Sequence, residues 1–125
     1  MGTNIFAQNN TCLKVLEGQI QAFNNADIER LVDNIDENFK WYYVSPYTMI
    51  LEVAGKEQFR KSMVSYYKYF PGVSSKVDQT VVTGNKISFE ETVSWQGKNG
   101  PKSQACIGVY EIKGDKIYRA WYFIE

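Results

Sequence analysis

Glu91 is the residue whose type and position could do chemistry. It lies in the run KISFEETVSW at residues 86–95, where Ile87, Phe89, Val93 and Trp95 alternate with Ser88, Glu90, Thr92 and Ser94. That is the period of a half-buried antiparallel strand. The alternation puts Glu91 on the apolar face beside Phe89, Val93 and Trp95. A carboxylate desolvated by aromatic neighbours keeps its proton to higher pH, so it can serve as an acid or base near neutrality. Two plainer fates compete with that one: an ion pair with a cation such as Arg119, or a place in water at an open rim. A β-bulge at Glu90-Glu91 would also turn the side chain outward.

The chain has no histidine. Ser-His-Asp and Cys-His mechanisms are therefore excluded, and so is the commonest metal ligand. Acid-base work falls to Asp, Glu, Tyr, Lys or Cys, and no metal site or cofactor is expected. Cys12 and Cys106 show no CxxC spacing and read as reduced thiols of a reducing, cytoplasmic setting. No base adjoins Cys106, which is expected to be a small buried residue and not a nucleophile.

The 125 residues carry 14 Lys+Arg against 14 Asp+Glu, without a block of like charge. That balance leaves no electrostatic footprint for nucleic acid or an anionic membrane. The length suits a single domain over residues 1–125. Apolar runs stay well short of the roughly 18 residues of a membrane span, and the start MGTNIFAQNN lacks the basic and apolar regions of a secretory leader. Met1-Gly2 opens like an N-myristoylation start, but Phe6 stands where Ser or Thr is required.

Elements that would position Glu91 can be placed in order. After the N-cap types Asn10 and Thr11, a stripe of Leu13, Leu16, Ile20 and Phe23 predicts a helix over residues 11–24. Asp27 caps a shorter helix with Ile28, Leu31, Val32 and Ile35 inward. NFKWYYV, residues 38–44, is β-prone and ends at Pro46. A short strand follows over residues 48–53. Gly55 opens a third helix with Phe59, Met63, Tyr66 or Tyr67, and Phe70 inward, stopped by Pro71-Gly72. Residues 73–83 form another strand, and the runs 86–95, 103–112 and 116–124 make a meander. This order defines an α+β protein, its helices packed on a strongly curved antiparallel sheet.

Along the second meander run, Gln104, Cys106, Gly108, Tyr110 and Ile112 share a face opposite Ala105, Ile107, Val109 and Glu111. In the last run either Arg119, Trp121 and Phe123 or Tyr118, Ala120, Tyr122 and Ile124 point outward. The aromatic excess on strands and third helix suits a cavity for a flat apolar ligand, and equally a core or dimer face.

This order, with AFNNAD closing the first helix, ENFKWYYVSP entering the first strand, Gly55 and Pro71 bounding the third helix, and GDKIYRAWYF at the end, resembles the nuclear transport factor 2-like superfamily. The SnoaL-like polyketide cyclases and ketosteroid isomerases are its suggested kin. The resemblance implies a cone-shaped fold lined by the Gln104 face, with Gly108 as a gap or a bend in the sheet and homodimerisation through the outer sheet face. It places the isomerase base near Ser45 or Tyr43, the helix tyrosine on Gln19 and the strand acid on Gly108. None of these matches, so steroid-isomerase chemistry is disfavoured. Within such a cone the strand alternation leaves Glu91 as the candidate catalytic residue with Phe89, Val93 and Trp95 as ligand contacts, the Gln104 face adds Gln104 and Tyr110, and Gln19, Tyr43 and Glu17 are added by position alone.

Two functions follow. One is a small-molecule pocket with isomerase, cyclase or hydratase chemistry through Glu91 and tyrosine donors. The other is a non-catalytic interaction or structural dimer module with a filled cone.

Overall fold

A computed structural model describes residues 5–124; Met1-Gly2 lies outside the described residues. The elements run α1 (Ile5–Asn24), α2 (Ile28–Asp33), β1 (Ile35–Val44), β2 (Met49–Ala54), α3 (Lys56–Tyr69), β3 (Ser74–Thr83), β4 (Lys86–Gly97), β5 (Gly100–Lys113) and β6 (Lys116–Phe123). The strands form one curled, unclosed sheet in the order β2-β1-β6-β5-β4-β3, and the helices pack on its inner face. The chain is thus α+β, as the element order implies.

The first helix starts before the expected cap: Asn10 and Thr11 lie inside α1, because nothing in IFAQNN stops a helix from propagating backward. Its buried side is Cys12, Leu16, Gln19 and Ala22, with Leu13, Ile20 and Phe23 only partly covered, so the stripe is rotated by about one position from the expected one. Asp27 caps α2 by accepting from the Arg30 N–H, which satisfies one of the free donors of its first turn. Ile35 does not belong to α2. Asn34 closes that helix on the Arg30 carbonyl, and its own carbonyl accepts from the Ile117 N–H, which starts β1 against β6.

The β1–β6 pair is parallel while every other strand pair is antiparallel. Parallel neighbours need a long crossover, and here β2, α3 and β3 to β5 make it. Register shifts interrupt four of the strand pairs, and two of them bear on the inner face. On β3, Gln79 and Thr80 together face Phe89, with Gln79 at φ +54°; this is a bulge in which one residue is extruded into the left-handed region. The second lies between Glu111 and Ile112 opposite β6.

Gly108 pairs across from Phe89, and a Cβ built on it would come within 2.4 Å of the Phe89 ring. Gly108 is therefore neither a gap enlarging the interior nor a simple bend: the ring of the neighbouring strand lies over it and fills the space. Ile87, Phe89, Ile117 and Val53 of the sheet meet Leu31, Phe59 and Met63 of the helices, all nearly inaccessible, to form the core.

Candidate functional site

Beyond that core the inner face of the sheet stays hollow, enclosing a cavity of about 400 Å³, within the range of small-molecule sites. Glu91 opens into it and is 7% exposed. The feared bulge at Glu90-Glu91 does not form; the extra residue is on β3, and the β4–β5 register runs unbroken, so Glu91 keeps the parity of Phe89. The proposed partner Arg119 lies on the opposite face, bonded to Glu111.

Among the described residues one hydrogen bond holds the carboxylate. Ser75 Oγ donates to Glu91 Oε2 at 2.5 Å. Ser75 sits two residues along β3 from Val77, the direct cross-strand partner of Glu91, and such diagonal neighbours lie within reach. Asn24, the last residue of α1, fixes Ser75 in turn: its Oδ1 accepts from the Ser75 N–H at 2.7 Å and its Nδ2 donates to the Ser75 carbonyl at 3.0 Å. A carboxylate offers about four lone-pair positions, and the described residues fill one of them. Burial raises the Glu91 pKa above the usual carboxylate value, while the Ser75 bond opposes the rise.

Tyrosines ring the carboxylate. Tyr43 of β1, Tyr66 of α3, and Tyr110 and Tyr122 of β5 and β6 line the cavity. The Glu91 charge acts on all of them and on Cys106. Burial pushes Tyr43 and Tyr66 up to about 12 and Cys106 to about 11, so these groups stay protonated near neutrality. The Tyr110 and Tyr122 hydroxyls share a hydrogen bond at 3.2 Å. Trp41 meets Tyr43, Phe59 and Tyr122 edge-on, and its buried Nε1 has no hydrogen-bond partner among the described residues.

The sequence-derived candidates fall into three groups. Glu91, Tyr43, Val93, Trp95, Gln104 and Tyr110 all line the cavity, with Gln104 exposed at its open end. Gln19 lines it too, but its amide ties helices together, donating to the Leu31 carbonyl and accepting from Asn34. Phe89 does not reach the cavity: it is 1% exposed, pressed on Gly108 and edge-on to Tyr110. Glu17 points to solvent.

The open choice on the last strand is resolved. Ile117, Ala120, Tyr122 and Ile124 line the cavity, and Arg119 and Trp121 lie outside. Sequence reasoning did not find Ser75 and Asn24, whose bonds to the site span 16 and 51 residues. The polar alternation of β3 does place Ser75 on the face of Val77, and that was the available signal.

The SnoaL-like domain family matches residues 16–120. The chain belongs to this family. Comparison with curated proteins finds no match. Solved structures agree with the family's fold. An NTF2-like protein from Anabaena variabilis superposes with a TM-score of 0.80 at 16% identity, covering 100% of this chain and 94% of its own. An LEH-like epoxide hydrolase from M. tuberculosis gives 0.76 at 14% identity, with 93% and 84% covered. IdmH of Streptomyces antibioticus, a candidate polyketide cyclase, gives 0.75 at 14% identity, with 89% of each chain covered.

Proposed function

We propose that this SnoaL-like chain binds a small, flat, largely apolar molecule in its cavity and relocates a proton on it through Glu91, in isomerase-, cyclase- or hydratase-type chemistry. The observation that carries this reading is the buried Glu91 carboxyl facing an aromatic hollow, with Ser75 as its one hydrogen-bond partner among the described residues. Packing alone would favour an aliphatic side chain there.

Ser75 engages Oε2, which leaves the other oxygen for the ligand. Protonated Glu91 gives its proton to one ligand atom and, as the carboxylate, takes a proton from another. The Tyr43 and Tyr66 hydroxyls are suited to donate to an oxygen that gains charge meanwhile. The cyclase and epoxide hydrolase descriptions of the structural relatives support this class of chemistry.

A thermal-shift screen with planar polyketide-like compounds tests the reading. A true ligand at about 100 times its Kd stabilises by about 2.7 kcal/mol. For a compound that is turned over, Glu91→Gln is expected to lower kcat by about 10²- to 10⁴-fold. Unchanged turnover would remove Glu91 from the mechanism.

The outer sheet face supports a second, compatible reading as a homodimer. Tyr42 and Trp121 stack there at 5.9 Å and 13°, with Ile107 54% and Phe123 44% exposed beside them. Exposed apolar rows of this kind mark association surfaces. Sedimentation of the wild type as a dimer and of Trp121→Glu as a monomer is expected; a monomeric wild type refutes it. Among the described residues no helix is long and apolar enough to cross a membrane, and Cys12 and Cys106 are free thiols, which suits the reducing cytoplasm.

A further inference from the structure

We propose that the cavity selects a ligand carrying a protonated or quaternary amine on a flat or aliphatic body, the ammonium seated between Glu91 and the surrounding tyrosine rings. This rests on the reading of the cavity as a ligand site and names the charge of what enters it.

Charge balance is the first argument. Among the described residues lining the cavity there is no lysine or arginine, and Glu91 is the one carboxylate. Without a paired charge Glu91 tends to hold its proton, and its ionised form is stable only beside one. The described protein supplies one neutral donor, Ser75, so the missing counter-charge is one that a ligand can bring. An anionic ligand would find no cation here, and a like charge wherever Glu91 is ionised.

Ring geometry is the second. Tyr43, Trp41 and Tyr122 stand edge-on or tilted to one another, with centroid distances of 5.3, 5.7 and 6.5 Å, and Tyr66 of α3 lines the same cavity. Neighbouring rings set at angles can present π-faces to one common volume, the arrangement that holds ammonium groups. Electrostatics at this end point the same way, since the charge of exposed Glu52 on β2 also reaches Tyr43.

Proton coupling follows. Facing Glu91 are Tyr43 of β1, Tyr66 of α3, Cys106 and Tyr110 of β5 and Tyr122 of β6, all with raised pKa values. β3 contributes uncharged Ser75, and α1 contributes uncharged Gln19. Glu91, raised by burial from the ordinary carboxylate value, is the one carboxylic acid in this set. Entry of an ammonium favours its carboxylate form, so the proton leaves to solvent as the ligand binds, and amine affinity rises with pH through the Glu91 transition. A neutral oxygen acceptor would show the opposite trend, because it needs the Glu91 proton.

Calorimetric titration with three probes of one skeleton tests this: 2-naphthylmethylamine as the cation, 2-naphthylmethanol as the neutral form and 2-naphthoate as the anion. The amine is expected to bind at least about tenfold more tightly than the alcohol, with naphthoate weakest and buffer-dependent heats reporting proton release. In Glu91→Gln the amine preference falls to about unity while the alcohol still binds, which also shows that the variant is folded. Alcohol binding equal to or tighter than the amine overturns the amine assignment and leaves the ligand cavity standing. Absence of binding by all three probes overturns both.

Discussion

Glu91 and Glu111 are buried carboxylates on adjacent strands of one sheet, 7% and 9% exposed, and they have opposite surroundings. Glu111 lies on the outer face between two cations, directly across from Lys86 on β4 and Arg119 on β6; Arg119 Nε donates to it at 2.5 Å and Lys86 Nζ lies at 3.9 Å. Glu91 lies on the inner face between Val77 and Cys106, with a serine hydroxyl for company. Burial alone therefore does not make a carboxylate reactive. What separates the two is the cross-strand neighbour: a cation neutralises one, and apolar and thiol neighbours leave the other to hold its proton.

The comparison breaks most severely if the inner wall is opened. Phe89→Ala removes the ring that covers Gly108 and backs the carboxylate's strand, and it should cost about 3–5 kcal/mol in urea unfolding. By letting water in, it should also lower the Glu91 pKa toward its ordinary value.

Next in size is the pH dependence of stability. Folding raises the Glu91 pKa above its unfolded value near 4.5. The folded chain therefore keeps that proton over a span where the unfolded chain has lost it, and stability falls as pH rises from about 4.5 through the raised folded value. Glu91→Gln removes this penalty: its melting temperature should match the wild type at pH 4 and exceed it at pH 8. Glu111→Gln should go the other way at pH 8, because it strips Arg119 of its partner. Equal behaviour of the two variants would erase the distinction.

The smallest effect concerns the single bond to Glu91. Ser75→Ala leaves both carboxyl oxygens without a protein donor among the described residues, and should cost about 1–2 kcal/mol at pH 8 and less at pH 4. An unchanged cost at both pH values would show that the Ser75 bond does not favour the charged form.

Glu91 was legible in the sequence as a carboxylate on an apolar face, whereas the Glu111–Arg119 pair was not, since Arg119 stood there as a cation for Glu91. Glu91 stood out because period-2 alternation runs unbroken from Ile87 to Trp95 and β4 has strand neighbours on both sides. The face of β6 was not legible, since opposite the Glu111-Ile112 step β6 carries one extra residue, Tyr118, which resets the parity of the strand. Ile35 was misassigned because an apolar residue four positions after Leu31 fits a helix stripe as well as a strand start; long-range pairing with Ile117 decided it. Phe89 was counted as a ligand contact because alternation gives the face of a side chain but not its depth. Ser75 and Asn24 escaped notice because their roles exist only once α1 meets β3.

The most direct test is a ¹³C NMR titration of the Glu91 side-chain carboxyl, assigned by the signal lost in Glu91→Gln. A midpoint clearly above 4.5 is expected, the ordinary value from which burial raises it. A midpoint at or below 4.5 would mean that the carboxylate is solvated or paired, and would contradict the account of Glu91 as an acid held in an apolar hollow.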